Sequence, residues 1–237
     1  MNDEITIGIL AVQGDIEENI AATNEALRNM EVRGSARPVR YSKEIEQVDG
    51  LIIPGGESTV ISSLVTLHEA TFQAIRRRIS AGMPAMGSCA GMIMLSKRAY
   101  DRVIGETKQQ LIGNLDIVIE RNAFGRQNDS FETDLYIPML GKDLYKGIFI
   151  RSPVITEFGN GVDVIAKFND KIVAVIQKNI IGTAFHPELS GDDRLHRHFI
   201  DKVLEFRQNQ QNYEVRGGGI RTHEPLRDGI THFFSRS

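Results

Sequence analysis

The chain has 237 residues, 41% hydrophobic and 25% charged, with a net charge of -3. That is enough apolar material for one sizeable core, and the near-neutral balance leaves no footprint for nucleic acid. One cysteine excludes an internal disulfide framework and suits a reducing cytosol, acidic Asp3 and Glu4 are unlike a signal segment, and every apolar run is too short for a bilayer, so a cytoplasmic protein without a membrane partner is expected.

Ile5 to Val12 is almost continuously apolar and rich in β-branched residues, the pattern of a buried parallel strand. It stops at Gln13-Gly14-Asp15. Ile16, Ile20, Leu27 and Met30 then follow helical spacing, with Asp15 placed as the N-cap. A strand feeding a helix through a glycine turn is the first half of a βαβ unit. Open α/β sheets place their sites at such strand ends, although the turn reads equally well as a plain connection. Arg37-Pro38-Val39-Arg40 suits a short edge strand and Lys43 to Gln47 a brief polar helix. A second buried strand, Asp49 to Ile53, runs into Pro54-Gly55-Gly56-Glu57-Ser58-Thr59 and a helix carrying Val60, Ile61, Leu64 and Val65. Paired glycines let backbone N–H groups turn toward a ligand. The loop is therefore a candidate oxyanion site, or an ordinary turn in which Ser58 or Thr59 caps the helix. Glu69 to Ala81 is amphipathic, its Arg76-Arg77-Arg78 run reads as a solvated face, and Gly82 and Pro84 end it.

Met83-Pro84-Ala85-Met86 then leads to Gly87-Ser88-Cys89-Ala90-Gly91 and a helical Ala90 to Leu95. This is the nucleophile-elbow pattern with sulfur in place of a hydroxyl. The two glycines relieve crowding at a sharp strand-to-helix turn, and a helix N-terminus favours thiolate. A lone cysteine is otherwise often a buried structural residue. The first half thus reads as an open α/β arrangement with three candidate sites at strand carboxyl ends.

The second half changes character. Leu115 to Arg121, Phe131 to Ile137 and Val162 to Ala166 alternate polar and apolar residues, which predicts antiparallel sheet with one face wet. Arg121 suits a carboxylate, or is a surface charge. Ile148 to Pro153 is a further strand ending in a polar turn. Lys171 to Ile176 and Asn179 to Phe185 form a hairpin about Gln177-Lys178 that delivers His186-Pro187-Glu188-Leu189. Strand alternation would point His186 and Glu188 the same way, suiting a base and its orienting carboxylate. Asp192 to Arg207 is a closing helix, on which His196 and His198 face different directions and form no metal pair. Residues 214–237 read as a C-terminal extension expected to be disordered, after a domain spanning 1–213.

Pro54 to Thr59, Gly87 to Gly91, Glu120-Arg121-Asn122-Ala123-Phe124-Gly125-Arg126-Gln127, Phe149-Ile150-Arg151-Ser152-Pro153 and Phe185 to Leu189 together resemble the glutaminase subunit of pyridoxal phosphate synthase, a class I, triad-type glutamine amidotransferase. The likeness runs from about Ile5 to Phe206. It implies a three-layer, flavodoxin-like α/β fold: a mixed central sheet with helices on both faces and an antiparallel portion in the second half. It implies hydrolysis of L-glutamine to glutamate and ammonia, with Cys89 as nucleophile, His186 as base and Glu188 as orienter. Gly56, Glu57, Ser58, Arg121, Ile150 and Arg151 would contact L-glutamine. Backbone N–H groups of Ala90 and the Gly55-Gly56 turn would meet the oxyanion. Ammonia would pass to a synthase subunit in a hetro-oligomeric complex, with Gln13 near the contact, and the subunit would need neither organic cofactor nor metal. Two features depart from the family: Ser88 stands where threonine is usual, and the extension is longer. Rival readings are an amidotransferase subunit feeding a different synthase, a catalytically silent assembly subunit, and another cysteine hydrolase on a similar elbow. The Arg-Asn-x-Phe-Gly-Arg-Gln loop argues against the first, and the intact Cys89, His186 and Glu188 against the second.

Overall fold

The computed structural model describes residues 4–101, 103, 105–121, 123 and 130–217, with side chains through Tyr213. Most of the Asn122–Gln127 motif and the extension from Gly218 onward lie outside the described residues.

β1 (Ile5–Leu10) pairs in parallel with β2 (Gly34–Val39) and with β3 (Gly50–Ile53). β2 lies at the sheet edge, where Pro38 leaves no central ladder bond unmade. β3 pairs in parallel with β4 (Ala85–Ser88). Ile5, Ile7, Ile9, Leu51, Ile52 and Ile53 are all at most 1% exposed, as expected of strands covered on both faces. The sheet is flanked by helices α1 (Ile16–Asn29), α2 (Ser42–Ile45), α3 (Ser58–Thr66), α4 (Glu69–Ser80), α5 (Ala90–Leu95) and α6 (Arg194–Gly217). α1 packs against α6, and α3 against α4 and α5.

The remaining strands are β5 (Ser96–Asp101), β6 (Gly105–Glu106), β7 (Leu115–Glu120), β8 (Ser130–Leu135), β9 (Tyr145–Ile150), β10 (Val154–Phe158), β11 (Asp163–Phe168), β12 (Lys171–Gln177) and β13 (Ile180–Thr183). The main sheet runs β2-β1-β3-β4-β13-β12-β10-β7-β5-β6, with β11 paired to β12, while β8 and β9 form a separate ribbon. Antiparallel pairing dominates the second half, as the alternation predicts. Two pairs depart from it. β7 alternates buried and half-buried residues yet also takes β5 as a parallel neighbour. β13 adds in parallel beside β4, with Thr183 opposite Ser88. That second junction joins the two halves of the chain into one sheet.

β5 and β10 have no counterpart in the sequence reading. Ser96-Lys97-Arg98 carries too much charge to read as a strand, and Val154–Phe158 follows Ser152-Pro153, which reads as a turn. α6 extends beyond the expected end at Arg207. Leu195, Phe199, Ile200 and Val203 bury its inner face, and Arg207 itself is tied to Asp49 at 2.5 Å. No described helix is long and apolar enough to cross a membrane.

Candidate active site

Cys89 sits between β4 and α5 with φ 49° and ψ -106°, a conformation that non-glycine residues adopt only when their surroundings impose it. The surroundings do so through close backbone packing. A Cβ on Gly91 would stand 1.9 Å from the Ile53 carbonyl oxygen, and one on Gly87 2.6 Å from Gly91. The Cys89 N–H donates to the Thr183 carbonyl at 2.7 Å, so β13 grips the elbow directly. The thiol is buried, and Sγ lies 3.8 Å from the Ile150 carbonyl at the end of β9. α5 starts at Ala90, so the first N–H groups of that helix have no intrahelical acceptor.

Three residues beyond Thr183 comes His186, whose N–H donates to the Ile148 carbonyl at 2.9 Å. The His186 backbone is thus anchored from β9, while β13, paired with β4, carries it to the side of the sheet that holds Cys89. His186 and Glu188 do meet, with Nδ1 2.9 Å from Glu188 Oε1. The reason differs from the expected strand alternation. β13 ends at Thr183, and Pro187–Leu189 is a 3-10 turn beginning just after His186. The turn folds Glu188 back on the imidazole, with the Glu188 side chain fully buried.

A second carboxylate shares that nitrogen: Asp15 Oδ2 lies 3.2 Å from His186 Nδ1. Facing two acceptors, Nδ1 carries the proton, which leaves Nε2 for the thiol. Burial by itself would lower the basicity of His186, but the Asp15 and Glu188 carboxylates that accept from Nδ1, with Cys89 alongside, outweigh it and push the imidazole up to about 12. The bond to His186 correspondingly holds Asp15 below the ordinary carboxylate range, against its partial burial. Asp15, His186 and Glu188 are also the one group among the described residues whose ligand atoms, all within 4.8 Å, could hold a metal ion. A proton on Nδ1 accounts for both short contacts without one.

The Gly-Gly loop lies against the imidazole. A Cβ on Gly55 would come 2.4 Å from His186 Cε1. The β1–α1 turn is stitched to the same loop: Asp15 N–H donates to the Gly55 carbonyl at 3.3 Å, and Glu57 N–H to Gln13 Oε1 at 2.9 Å. Gly56, at φ +149°, would place a Cβ 2.5 Å from that same Gln13 oxygen. Gln13 is therefore a brace for this loop within the chain. Arg121, at the end of β7, reaches Glu57 Oε1 at 2.8 Å.

The other predicted residues divide. Ile150 reaches the thiol through its carbonyl, whereas the Arg151 side chain is exposed and its backbone strained at φ 43°. Ser58 is buried but does not cap α3. Its hydroxyl donates to Gln109 Oε1 at 3.2 Å, and Thr59 instead reaches Glu57 at 3.1 Å. The sequence signals neither the Asp15–His186 nor the Ser58–Gln109 contact. Asp15 carried a local signal pointing elsewhere, to a helix cap, and Gln109 carried none.

A cysteine at a strand-to-helix elbow, backed by a buried histidine and carboxylate, is the arrangement of an α/β enzyme with a sulfur nucleophile. The chain belongs to the SNO glutamine amidotransferase family, whose model matches residues 9–205. It is 44% identical over 202 residues to the pyridoxal 5'-phosphate synthase subunit PdxT of Nitrosopumilus maritimus, covering 85% of this chain and 98% of that one. A protein of the same description from Archaeoglobus fulgidus is 42% identical, with 82% and 96% covered. A crystal structure described as a glutamine amidotransferase superposes with a TM-score of 0.72 at 39% identity, covering 83% of this chain and 98% of its own.

Proposed function

We propose that this chain is the glutaminase subunit of a pyridoxal 5'-phosphate synthase, hydrolysing L-glutamine to glutamate and ammonia for a partner synthase subunit in the cytoplasm. The observation that carries the reading is the juxtaposition of the Cys89 elbow with a His186 whose Nδ1 is held by Glu188 at 2.9 Å, in a chain so similar to subunits of that synthase.

Chemistry follows from the residues. A strongly basic His186 takes the thiol proton and stands as imidazolium beside the Cys89 thiolate. The thiolate attacks the side-chain carboxamide carbon of glutamine, and the carbonyl oxygen becomes an oxyanion directed at N–H groups of Ala90 and the Gly55-Gly56 turn. As the C–N bond breaks, His186 returns its proton to the nitrogen, which leaves as ammonia. Water, deprotonated by His186, then cleaves the thioester to glutamate and regenerates the thiol. Gly56, Glu57, Ser58, Arg121, Ile150 and Arg151 surround the substrate, with Arg121 acting through Glu57. Gln13 links the loop to the docking surface, and the catalytic unit occupies 1–213 with 214–237 as an extension.

The test is glutamate release from L-glutamine by the full chain, with and without its synthase subunit. Strong release only with the partner supports the proposal, as does loss of glutamine-dependent but not ammonia-dependent pyridoxal phosphate formation in Cys89→Ala. Absence of release in both conditions with Cys89 reduced would sink it in favour of an assembly subunit.

A further inference from the structure

Asp15 occupies the N-cap position of α1 but makes no side-chain cap bond. Aspartate at that position ordinarily accepts from the first-turn N–H groups. Here its carboxylate points at a histidine distant in sequence, reaching His186 Nδ1 at 3.2 Å, while its own N–H holds the Gly55 carbonyl at 3.3 Å. A Cβ on Gly55 would stand 2.9 Å from both Asp15 Oδ2 and His186 Nδ1, so loop, carboxylate and ring are packed in direct contact.

We infer that Asp15 is a positioning residue for His186: a second carboxylate on Nδ1 that supplements Glu188 and, through its N–H bond to Gly55, ties the orientation and proton affinity of the imidazole to the placement of the Gly55-Gly56 loop. The contact stands independently of function, while its catalytic consequence rests on the glutaminase reading. Only one oxygen of Glu188, Oε1, contacts Nδ1, at 2.9 Å, and Asp15 Oδ2 reaches the same nitrogen at 3.2 Å. The titratable groups facing His186 are Asp15 from the β1–α1 turn, Glu188 from the 3-10 turn and Cys89 from the elbow. The Gly55-Gly56 loop brings none against the ring. Behind Glu188 stands Tyr145 of β9, with Asp192 and Arg194 beyond it. Asp15 is thus one of two carboxylates that favour imidazolium, and so thiolate, at this site.

The experiment is the pH dependence of Cys89 alkylation by iodoacetamide in the full, partner-free chain. Removal of the Asp15 charge in Asp15→Asn should move the alkylation profile to higher pH and slow alkylation at neutral pH about tenfold. Asp15→Ser, a good helix cap too short to reach His186, should show the same shift with the far-UV circular dichroism of the wild type retained, which separates loss of the His186 contact from loss of the fold. Profiles of both variants that superimpose on the wild type, while Glu188→Gln shifts, would overturn the inference and leave the triad standing. Shifted profiles in both variants, when the wild-type chain never hydrolyses glutamine with its partner, would support Asp15 and remove the glutaminase reading instead.

Discussion

Arg121 donates to the Glu57 carboxylate at 2.8 Å, with the arginine side chain 13% exposed and the glutamate 42%. The pair joins the end of β7 to the loop after β3, two segments that the sheet order keeps well apart. Glu57 is therefore placed by a residue 64 positions away. Arg121→Gln should release it without touching the thiol. A hydrogen bond to a charged group at such a site contributes roughly 1.5–3 kcal/mol. KM for glutamine should rise about 10- to 100-fold with a much smaller change in kcat, measured by steady-state glutamate release in the synthase complex. A fall in kcat at constant KM would contradict a binding role.

The strained backbone at Cys89 gives a stability prediction separate from chemistry. Cys89→Ala and Cys89→Gly both remove Sγ and should both be inactive. Only glycine relieves φ 49°, ψ -106°. The glycine variant should be the more stable of the two by about 1 kcal/mol, read from urea midpoints at equal m-value. The reverse order would mean that the elbow is not strained.

Close approach of two backbones makes Gly14 and Gly91 intolerant. A Cβ on Gly14 would lie 1.8 Å from the Gly55 carbonyl oxygen, at φ +112°, and one on Gly91 1.9 Å from that of Ile53. Neither obstacle is a movable side-chain tip. Gly14→Ala and Gly91→Ala should each cost about 2–4 kcal/mol of stability and abolish glutamine hydrolysis. Gly141→Ala, at an open position with nothing near its Cβ, serves as the control for backbone strain alone. Calorimetric melting of the three variants checks the order.

His196 sets an acid limit on stability. It is 1% exposed, neither ring nitrogen has a partner among the described residues, and burial pulls it down to about 4 against an opposing effect from Asp193. Above pH 6.5 the ring is neutral in both folded and unfolded chains, so it adds no pH dependence. Between pH 6.5 and 4 the unfolded chain binds a proton that the fold refuses, and stability falls as pH drops, by about 1.4 kcal/mol per unit from this residue. His186 has the opposite sign: its raised basicity adds stability that is full below pH 6.5 and declines as pH rises toward about 12. His196→Leu should therefore lose less stability than the wild type between pH 6.5 and 4. Parallel denaturant curves for the two proteins across that window would show the assignment to be wrong.

Much of the site is legible along the chain because its chemistry is written locally. Gly87 to Gly91 and Pro54 to Thr59 place their glycines at strand ends where sterics leave few alternatives, and buried strands announce themselves as apolar runs. Asp15 shows the limit of local reading. Its position, just ahead of an amphipathic helix, signals a cap, and the same short carboxylate serves a histidine only because β13 is inserted beside β4. Ser58 and Thr59 are similar, since a distant Gln109 and a neighbouring Glu57 compete for hydroxyls that a helix end would otherwise take.

Composition, strand periodicity and the elbow, loop and His-Pro-Glu motifs by themselves pointed to an α/β protein, with Cys89 as the candidate nucleophile and His186 and Glu188 as the candidates to serve it. Only the tertiary structure decided which strands are neighbours, that a 3-10 turn turns Glu188 onto His186, and that two carboxylates meet on one nitrogen. Local sequence specifies turns and faces through short-range sterics and burial. Contacts between residues 15, 55 and 186 depend on sheet order, which is set by how the whole set of apolar faces packs together.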